Sequence, residues 1–426
     1  MAELLFAGTR ANVTPPAGFP MGGYVARGTS KATHSHDALE VSAFWLSTAD
    51  DPGVLWLSLD SLAVDAELVG LLASSASTRL GIPADRVVVC ASHTHAAPMG
   101  WTRRLHPSLP GGRDDGLVAT LLVRVDSALA ELPGLRRPVT LSWCDVSTSG
   151  VGTNRNRPDG PHDNTTGVLA VRGAGDSIDG LLFDYASHPT VLGPENLAWS
   201  ADWPGAARAA LSKALPAAVI GFLQGAAGDA SPRFIRQSRE HGEVDRIGGL
   251  LATTILTGLA HGSPLPAVVP SVHRKTVTLP VRQVPPATAM HPLMACAGLA
   301  ADTPAGRINQ TRLEGARALA ALAPADLPAT LDLPLSVVTL GEVAWVHLPV
   351  ELFGSLGLRI RATSPFPVTR VVGYSDGYFG YVADADGHER QLYEALVSLF
   401  DADAGELLVE QSVQLLHSAR LSAAPA

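Results

Sequence analysis

Val87-Val88-Val89-Cys90-Ala91-Ser92-His93-Thr94-His95-Ala96-Ala97-Pro98 is the stretch on which the reading of this chain turns. Its apolar first half predicts a short buried strand, and that strand runs straight into two histidines at i and i+2. If extended geometry persists, both imidazoles project to one side. One could then ligate a metal while the other orients a substrate or a proton. The alternative is a pair of hydrogen-bonded histidines closing a strand. Ligands of open α/β sheets bind just beyond the carboxyl ends of strands, so the other strand ends are the places to expect the same kind of chemistry.

Three more strand ends carry it. In Leu181-Leu182-Phe183-Asp184-Tyr185-Ala186-Ser187-His188-Pro189 an apolar strand ends on a histidine, and the proline stops the ladder. In Gly221-Phe222-Leu223-Gln224-Gly225-Ala226-Ala227-Gly228-Asp229-Ala230-Ser231-Pro232-Arg233 a strand gives way to small residues and then to Asp, Ser and Pro. Glycines there let backbone N–H groups approach a ligand, which suits an oxyanion site or a serine held by a tight turn. Ser231 lacks the flanking glycines of a G-x-S-x-G elbow, and a plain Gly-rich turn with an Asp–Ser hydrogen bond is the other reading. In Val343-Ala344-Trp345-Val346-His347-Leu348-Pro349-Val350-Glu351-Leu352-Phe353 the strand passes through proline into a predicted helix over Val350–Ala362. Glu351 then lies in the first turn, where the helix dipole favours an acid, so it is either a cap or a metal ligand. Downstream, Tyr374, Tyr378 and Tyr381 concentrate half of the chain's 6 tyrosines in one loop. Thr153-Asn154-Arg155-Asn156-Arg157 offers guanidinium groups to a carbonyl or carboxylate, or is a solvated basic turn. Asp60, at the end of an apolar strand, is placed to support a histidine.

Beyond these segments, short apolar and often β-branched runs predict strands over Ala38–Thr48, Gly53–Asp60, Val139–Cys144, Val168–Val171, Arg274–Val281 and Leu335–Leu340. Helical spacing of apolar residues predicts helices over Asp65–Leu80, Gly116–Leu132, Pro204–Leu215, Glu240–Leu259, Gln310–Leu322 and Glu406–His417. Strands and helices alternate, which predicts an α/β fold with a large mixed β-sheet flanked by helices. The Pro-rich stretch from Gly262 to Pro270 is the best internal boundary, but strands resume on both sides of it, so a single domain over 1–426 is expected. No internal repeat is visible.

Composition closes off other classes. With 46% apolar and 17% charged residues the chain is not disordered. A formal charge of −9 argues against a nucleic-acid partner. No apolar run approaches the ~18 residues of a membrane span, and the start shows no basic region followed by an apolar core. Cys90, Cys144 and Cys296 cannot make a disulfide framework. A cytoplasmic enzyme without stable membrane association is therefore expected. There is no P-loop, G-x-G-x-x-G after a strand, H-E-x-x-H or C-x-x-C, so nucleotide cofactors and structural zinc are not expected.

The order of motifs resembles the neutral ceramidase family of zinc-dependent amidases, from about Phe6 to about His417. Ala7-Gly8-Thr9-Arg10-Ala11-Asn12-Val13-Thr14-Pro15 is similar to that family's first strand, and Met21-Gly22-Gly23-Tyr24 to the turn after it. His36 precedes Ala43-Phe44 at the family's distance. His93-Thr94-His95 resembles its H-T-H, Arg155-Asn156-Arg157 its R-N-R, and Gly228-Asp229-Ala230-Ser231-Pro232 its G-D-x-S-P, with Glu351 and the tyrosine loop following in order. Two departures stand out. Ala96-Ala97-Pro98 follows the H-T-H, and Arg233 replaces an asparagine. A short form without the family's secretion signal and C-terminal domain is expected.

The resemblance implies one zinc ion held by His93, His188, Glu351 and Tyr381, with Tyr374 and Tyr378 the other tyrosines to consider. It places Ser231 at the nucleophile or carbonyl-partner position, and His95 and Arg157 at substrate-binding and proton-handling positions. An N₂O₂ donor set leaves zinc an open position for water, whose pKa falls to roughly 7. The implied function is a zinc-dependent amidase with zinc-bound water as nucleophile, Arg157 or Ser231 at the oxyanion and His95 protonating the leaving amine. The expected substrate is a small N-acyl amine or amino-acid conjugate rather than ceramide. The alternatives are an esterase or lactone-forming or -opening enzyme on the same scaffold, and a non-catalytic binding protein.

Overall fold

In the strand Val54–Leu59 every residue is buried. Leu55, Leu57 and Leu59 face one way, into a core they share with the helices Ala66–Leu80 and Asp115–Leu135. Val54 and Trp56 face the other way, into a core built from strands alone. Such two-sided burial is what period-two alternation produces when both faces of a sheet are covered. The computed structural model describes residues 3–106, 111–283, 304–320, 322 and 327–422. Cys296 and position 321 of the predicted helix Gln310–Leu322 lie outside them.

The α/β class expected from the sequence is the observed one, with the strands divided among several sheets rather than gathered in one. The first large sheet runs, in spatial order, Val87–Ala91, Val54–Leu59, Glu40–Ser47, Leu5–Asn12 and Arg137–Pro138. The second runs Val219–Gln224, Ile178–Tyr185, Thr165–Arg172, Thr140–Ser147 and Ser263–Leu265. The third runs Ser271–Pro280, Thr330–Leu340, Val343–His347 and Val368–Val372. The stretch marked as a possible boundary thus contributes an edge strand, pairing Ser263–Leu265 with Trp143–Leu141.

The three sheets turn their inner faces to one another, and each supplies a tryptophan to the shared core. Trp345 of the third sheet packs edge-on against Trp56 of the first, with ring centroids 6.0 Å apart, and against Trp143 of the second at 5.5 Å. Truncating a side chain of this kind costs about 3–5 kcal/mol. Helices cover the outer faces: Ala66–Leu80 and Asp115–Leu135 on the first sheet, Asp202–Ala214 and His241–Leu259 on the second, Gly354–Ala362 and Asp403–Ser422 on the third. No described helix is long and apolar enough to cross a membrane.

One unit of topology recurs in each large sheet. An antiparallel pair is followed by a helix and a strand parallel to the second member of the pair. In the first sheet the unit is Glu40–Ser47, Val54–Leu59, Ala66–Leu80, Val87–Ala91. In the second it is Thr165–Arg172, Ile178–Tyr185, Asp202–Ala214, Val219–Gln224, and in the third Thr330–Leu340, Val343–His347, Gly354–Ala362, Val368–Val372. The repeat lives in strand order and leaves no trace in residue identity, which is why the sequence shows none. Its consequence is positional. The segments that follow the parallel strands of all three units converge on one place.

Candidate metal centre and the cleft beside it

His93, His188 and Glu351 follow strands of the first, second and third sheet, respectively, and their side chains meet. Glu351 Oε2 lies 3.2 Å from His93 Nε2 and 3.1 Å from His188 Nε2. All three side chains are buried. His95 Nε2 lies 3.2 Å from His93 Nε2, and the Tyr381 hydroxyl oxygen 3.5 Å from His188 Nε2. Tyr374 donates to Glu351 Oε2 at 3.3 Å, and Tyr378 donates to Oε1.

Local chain geometry explains the convergence. The strand ends at Ala91, and His93 sits in the left-handed region at φ 65°, so the two histidines meet across a bend rather than along a continuing strand. A non-glycine residue there costs of order 1–3 kcal/mol. The segment after Asp60 holds it: the His93 amide donates to Ser61 O at 2.8 Å, and Nδ1 to Leu62 O at 2.6 Å. A carbonyl only accepts, so Nδ1 carries a proton and Nε2 is the nitrogen that faces the cluster. His188 is fixed in the same way, its Nδ1 2.7 Å from Ala227 O and 3.1 Å from Ala230 O. His95 packs against Gly23, at φ 96°, where a Cβ would fall 2.4 Å from the imidazole.

Glu351 is not in a helix. Val350–Ala362 is helical only from Gly354. Glu351–Leu352 is instead a two-residue strand parallel to Tyr381–Val382, with Glu351 opposite Tyr381. That pairing sets Tyr381 opposite Glu351 in the backbone register, with its hydroxyl beside His188, while Tyr374 and Tyr378 reach the Glu351 carboxylate itself. The first turn of the helix is capped by another acid, since Gly354 N donates to Asp229 Oδ1 at 2.7 Å. The glycines after Leu223 serve packing, not ligand approach. A Cβ on Gly228 would fall 2.5 Å from Glu351 O, and Gly228 N donates to Leu352 O at 2.8 Å.

Burial would raise the Glu351 carboxyl, yet the His93 and His188 imidazoles hold it well below the usual carboxylate range. Burial, with Arg155 nearby, drives His188 down to about 3. Burial and the neighbouring His93 and His188 push His95 well below the ordinary histidine range. Burial pushes the Tyr381 phenol well up, against the opposing charge of Arg155.

The donor set suits a divalent ion. Nitrogens of His93, His95 and His188 lie within 4.8 Å of one another and could hold a metal ion. Two locked imidazoles, a carboxylate and a phenol stand 3.1–3.5 Å apart along the contacts given above. The edge of a tetrahedron with zinc-like bonds of ~2.0–2.1 Å is about 3.3 Å. The carbonyls behind His93 and His188 are the kind of outer partner that metal-bound imidazoles take.

Other residues singled out in the sequence fall elsewhere. Arg157 is exposed and lines a separate surface cavity with Asp384 and Arg390. Arg155 is the buried guanidinium, donating to the Tyr381 hydroxyl at 3.1 Å and to Glu394 Oε1 at 2.6 Å. The chain turns between them because Asn154 Oδ1 accepts the amides of both Asn156 and Arg157, an Asx turn. Asp60 supports no histidine. It forms a buried ion pair with Arg208 and accepts the Glu40 amide. His36 is exposed and stacks on His241, with centroids 3.6 Å apart.

Ser231 is buried, and its Oγ accepts the Arg233 amide at 3.2 Å. Among the described residues no imidazole hydrogen-bonds to it. It lines a cleft of about 830 Å³. A smaller cavity of about 490 Å³ holds His93, His95, Glu351 and Tyr378, and the two share Gly23, His95, Tyr381 and Tyr393. Glu394 and Tyr393, which no sequence motif singles out, lie on Tyr393–Val397 behind the tyrosine loop. A lone acid at Glu394 in an otherwise apolar run is the signal that could have found them.

No family model matches the chain, and no curated protein matches it by sequence. Among solved structures it superposes on a ceramidase complexed with C2, with a TM-score of 0.79 at 16% identity, over 99% of this chain and 76% of the other. It superposes on the neutral ceramidase of Pseudomonas aeruginosa, also with a TM-score of 0.79 and 16% identity, over 100% of this chain and 76% of that one. These superpositions over the whole chain give it a neutral-ceramidase-like fold.

Proposed function

We propose that this protein is a metal-dependent amidohydrolase that cleaves an N-acyl amine, with a single catalytic unit spanning 1–426. The observation that carries the reading is the meeting of His93, His188 and Glu351, each following a strand of a different large sheet, at 3.1–3.2 Å in a buried pocket. The ceramidase-like fold supports the same reaction class. His93, His188, Glu351 and Tyr381 would hold the ion, and their N₂O₂ character favours zinc. A bound zinc ion supplies Lewis-acid polarisation of the amide carbonyl and acidifies water to a pKa of roughly 7.

The chain's own groups supply the rest. Tyr374 and Tyr378 fix both oxygens of Glu351, so its orientation does not depend on the ion. Arg155, held by Glu394, presents its charge beside Tyr381, where negative charge develops on the carbonyl oxygen. Ser231 lines the same cleft and adds its hydroxyl as a hydrogen-bond donor. His95 Nδ1 is buried without a hydrogen-bond partner, so this imidazole has a free nitrogen that can take the proton released by the attacking water and hand it to the leaving amine. Because no base hydrogen-bonds to Ser231 among the described residues, water is the nucleophile in this reading.

The test is metal stoichiometry together with turnover of an amide and an ester panel. We expect about one divalent ion per chain, loss of both metal and amide hydrolysis in His188→Ala, and amides preferred over esters. Full metal occupancy in that variant would refute the ligand set, and a preference for esters would refute the amidase assignment.

A further inference from the structure

The 830 Å³ cleft is unusual for a chain of net charge −9. Arg155, Arg233, Arg236, Arg239 and Arg307 all line it, with Glu314 the acidic residue among its described lining. No lysine is among them. Two of these guanidiniums are compensated: Arg155 by Glu394 at 2.6 Å and Arg239 by Glu195 at 3.5 Å. The other three make neutral contacts. Arg233 donates to Arg155 O at 2.9 Å, Arg236 to Thr190 O, and Arg307 to Gln310 Oε1 at 3.0 Å. Among the described residues no carboxylate lies within 4.0 Å of Arg233, Arg236 or Arg307. Burial, with Arg155 beside it, lowers Arg233 to about 10, and burial lowers Arg236 as well. Gathering like charges in a partly dry cleft is unfavourable unless an anion completes it.

The cleft adjoins the cavity at the cluster, the two sharing Gly23, His95, Tyr381 and Tyr393 in their walls. A group bound there can therefore belong to the molecule whose amide lies at the cluster. Guanidinium forks match the paired oxygens of carboxylates and phosphates. We propose that Arg233, Arg236 and Arg307 bind a carboxylate or phosphate carried by the substrate, which makes the substrate class an acidic N-acyl amine such as an N-acyl amino acid. The amide half of this statement rests on the proposed function, and the anion half stands on the cleft alone.

Calorimetric titration of the metal-loaded protein separates the two. The probes are N-acetylalanine, N-acetyl-O-phosphoethanolamine and the neutral N-acetylalaninamide. At least one anionic probe should bind about tenfold or more tightly than the neutral one, the scale of one charged hydrogen bond, and the tighter of the two identifies the anion. Arg236→Gln and Arg307→Gln, each verified by its melting curve, should each remove most of that preference, which distinguishes the cleft from anion capture by the metal. Equal binding of all three probes, or an anion preference that survives both substitutions, overturns the inference. Anion selectivity without hydrolysis of any amide would overturn the amidase reading and leave this inference standing. Hydrolysis of neutral amides with no anion selectivity would do the reverse.

Discussion

The guanidinium of Arg155 donates to the hydroxyl of Tyr381 at 3.1 Å, across 226 positions of sequence. Its other arm is held by Glu394 at 2.6 Å, and both members of that ion pair are buried. The pair therefore links the turn after Thr153–Asn154 to the tyrosine loop at the point where the proposed ligand sits.

Substituting the two arginines of this turn should separate their roles. Arg155→Met leaves Glu394 buried without its cation, a change that typically costs about 3–5 kcal/mol, and amide turnover should fall by ~10² or more. Arg157→Ala, at an exposed position, should change stability by no more than about 0.5 kcal/mol and leave kcat/KM nearly intact. Denaturant melts and steady-state kinetics of both variants check this. Equal losses in the two would return Arg157 to the site.

Gly23→Ala tests whether His95 acts through position. A methyl group there would fall 2.4 Å from the imidazole, at a backbone φ of 96° that alanine rarely adopts. His95 must shift, and misplacement by about 1 Å can cost ~10² in rate. Metal content should stay near that of the wild type. Loss of the metal in this variant would instead make His95 a ligand.

Ser231→Ala should lower kcat by ~10²–10³, the cost of one oxyanion donor, while slow turnover persists. Mass spectrometry of the intact protein during turnover provides the opposing outcome. An acyl adduct on Ser231 would make the serine the nucleophile.

Asp229 carries a pH signature. Burial raises its carboxyl to about 7, against the stabilising Gly354 amide. The folded state then binds a proton that the unfolded chain has released above its ordinary value near 4. Stability contributed by this group is complete below about pH 4 and is lost as pH rises through about 7, by at most about 1.4 kcal/mol per pH unit. Denaturant unfolding from pH 4 to 8 should show wild type losing stability relative to Asp229→Asn across that window. A difference that does not vary with pH would contradict the raised carboxyl.

Strand ends brought His93, His188 and Glu351 forward as candidates, because α/β folds gather chemistry there, and the family resemblance singled them out as one set. Local geometry was less legible. Val350-Glu351-Leu352-Phe353 has helical apolar spacing, but pairing with Tyr381–Val382 holds it extended, a long-range effect that no local pattern encodes. Arg155 and Arg157 look equivalent at a spacing of two until Asn154 turns the chain between them. Asp60 looked like a partner for histidine because its own cation, Arg208, lies 148 positions away. Alternation revealed that strands were covered on both faces, and it carried no information on how they divide into three sheets.

The topology unit that recurs in each large sheet also bears on how the protein comes to exist in its working state. Its three repeats deliver His93, His188 and Glu351 from far-separated parts of the chain, so the cluster closes only when all three have docked. Contacts of such long sequence separation form slowly. A nascent or misassembled chain lacking its last sheet would carry two imidazoles without their carboxylate, and would compete poorly for scarce ions. Any ion taken up at the proposed centre would favour the completed molecules and stabilise them by mass action.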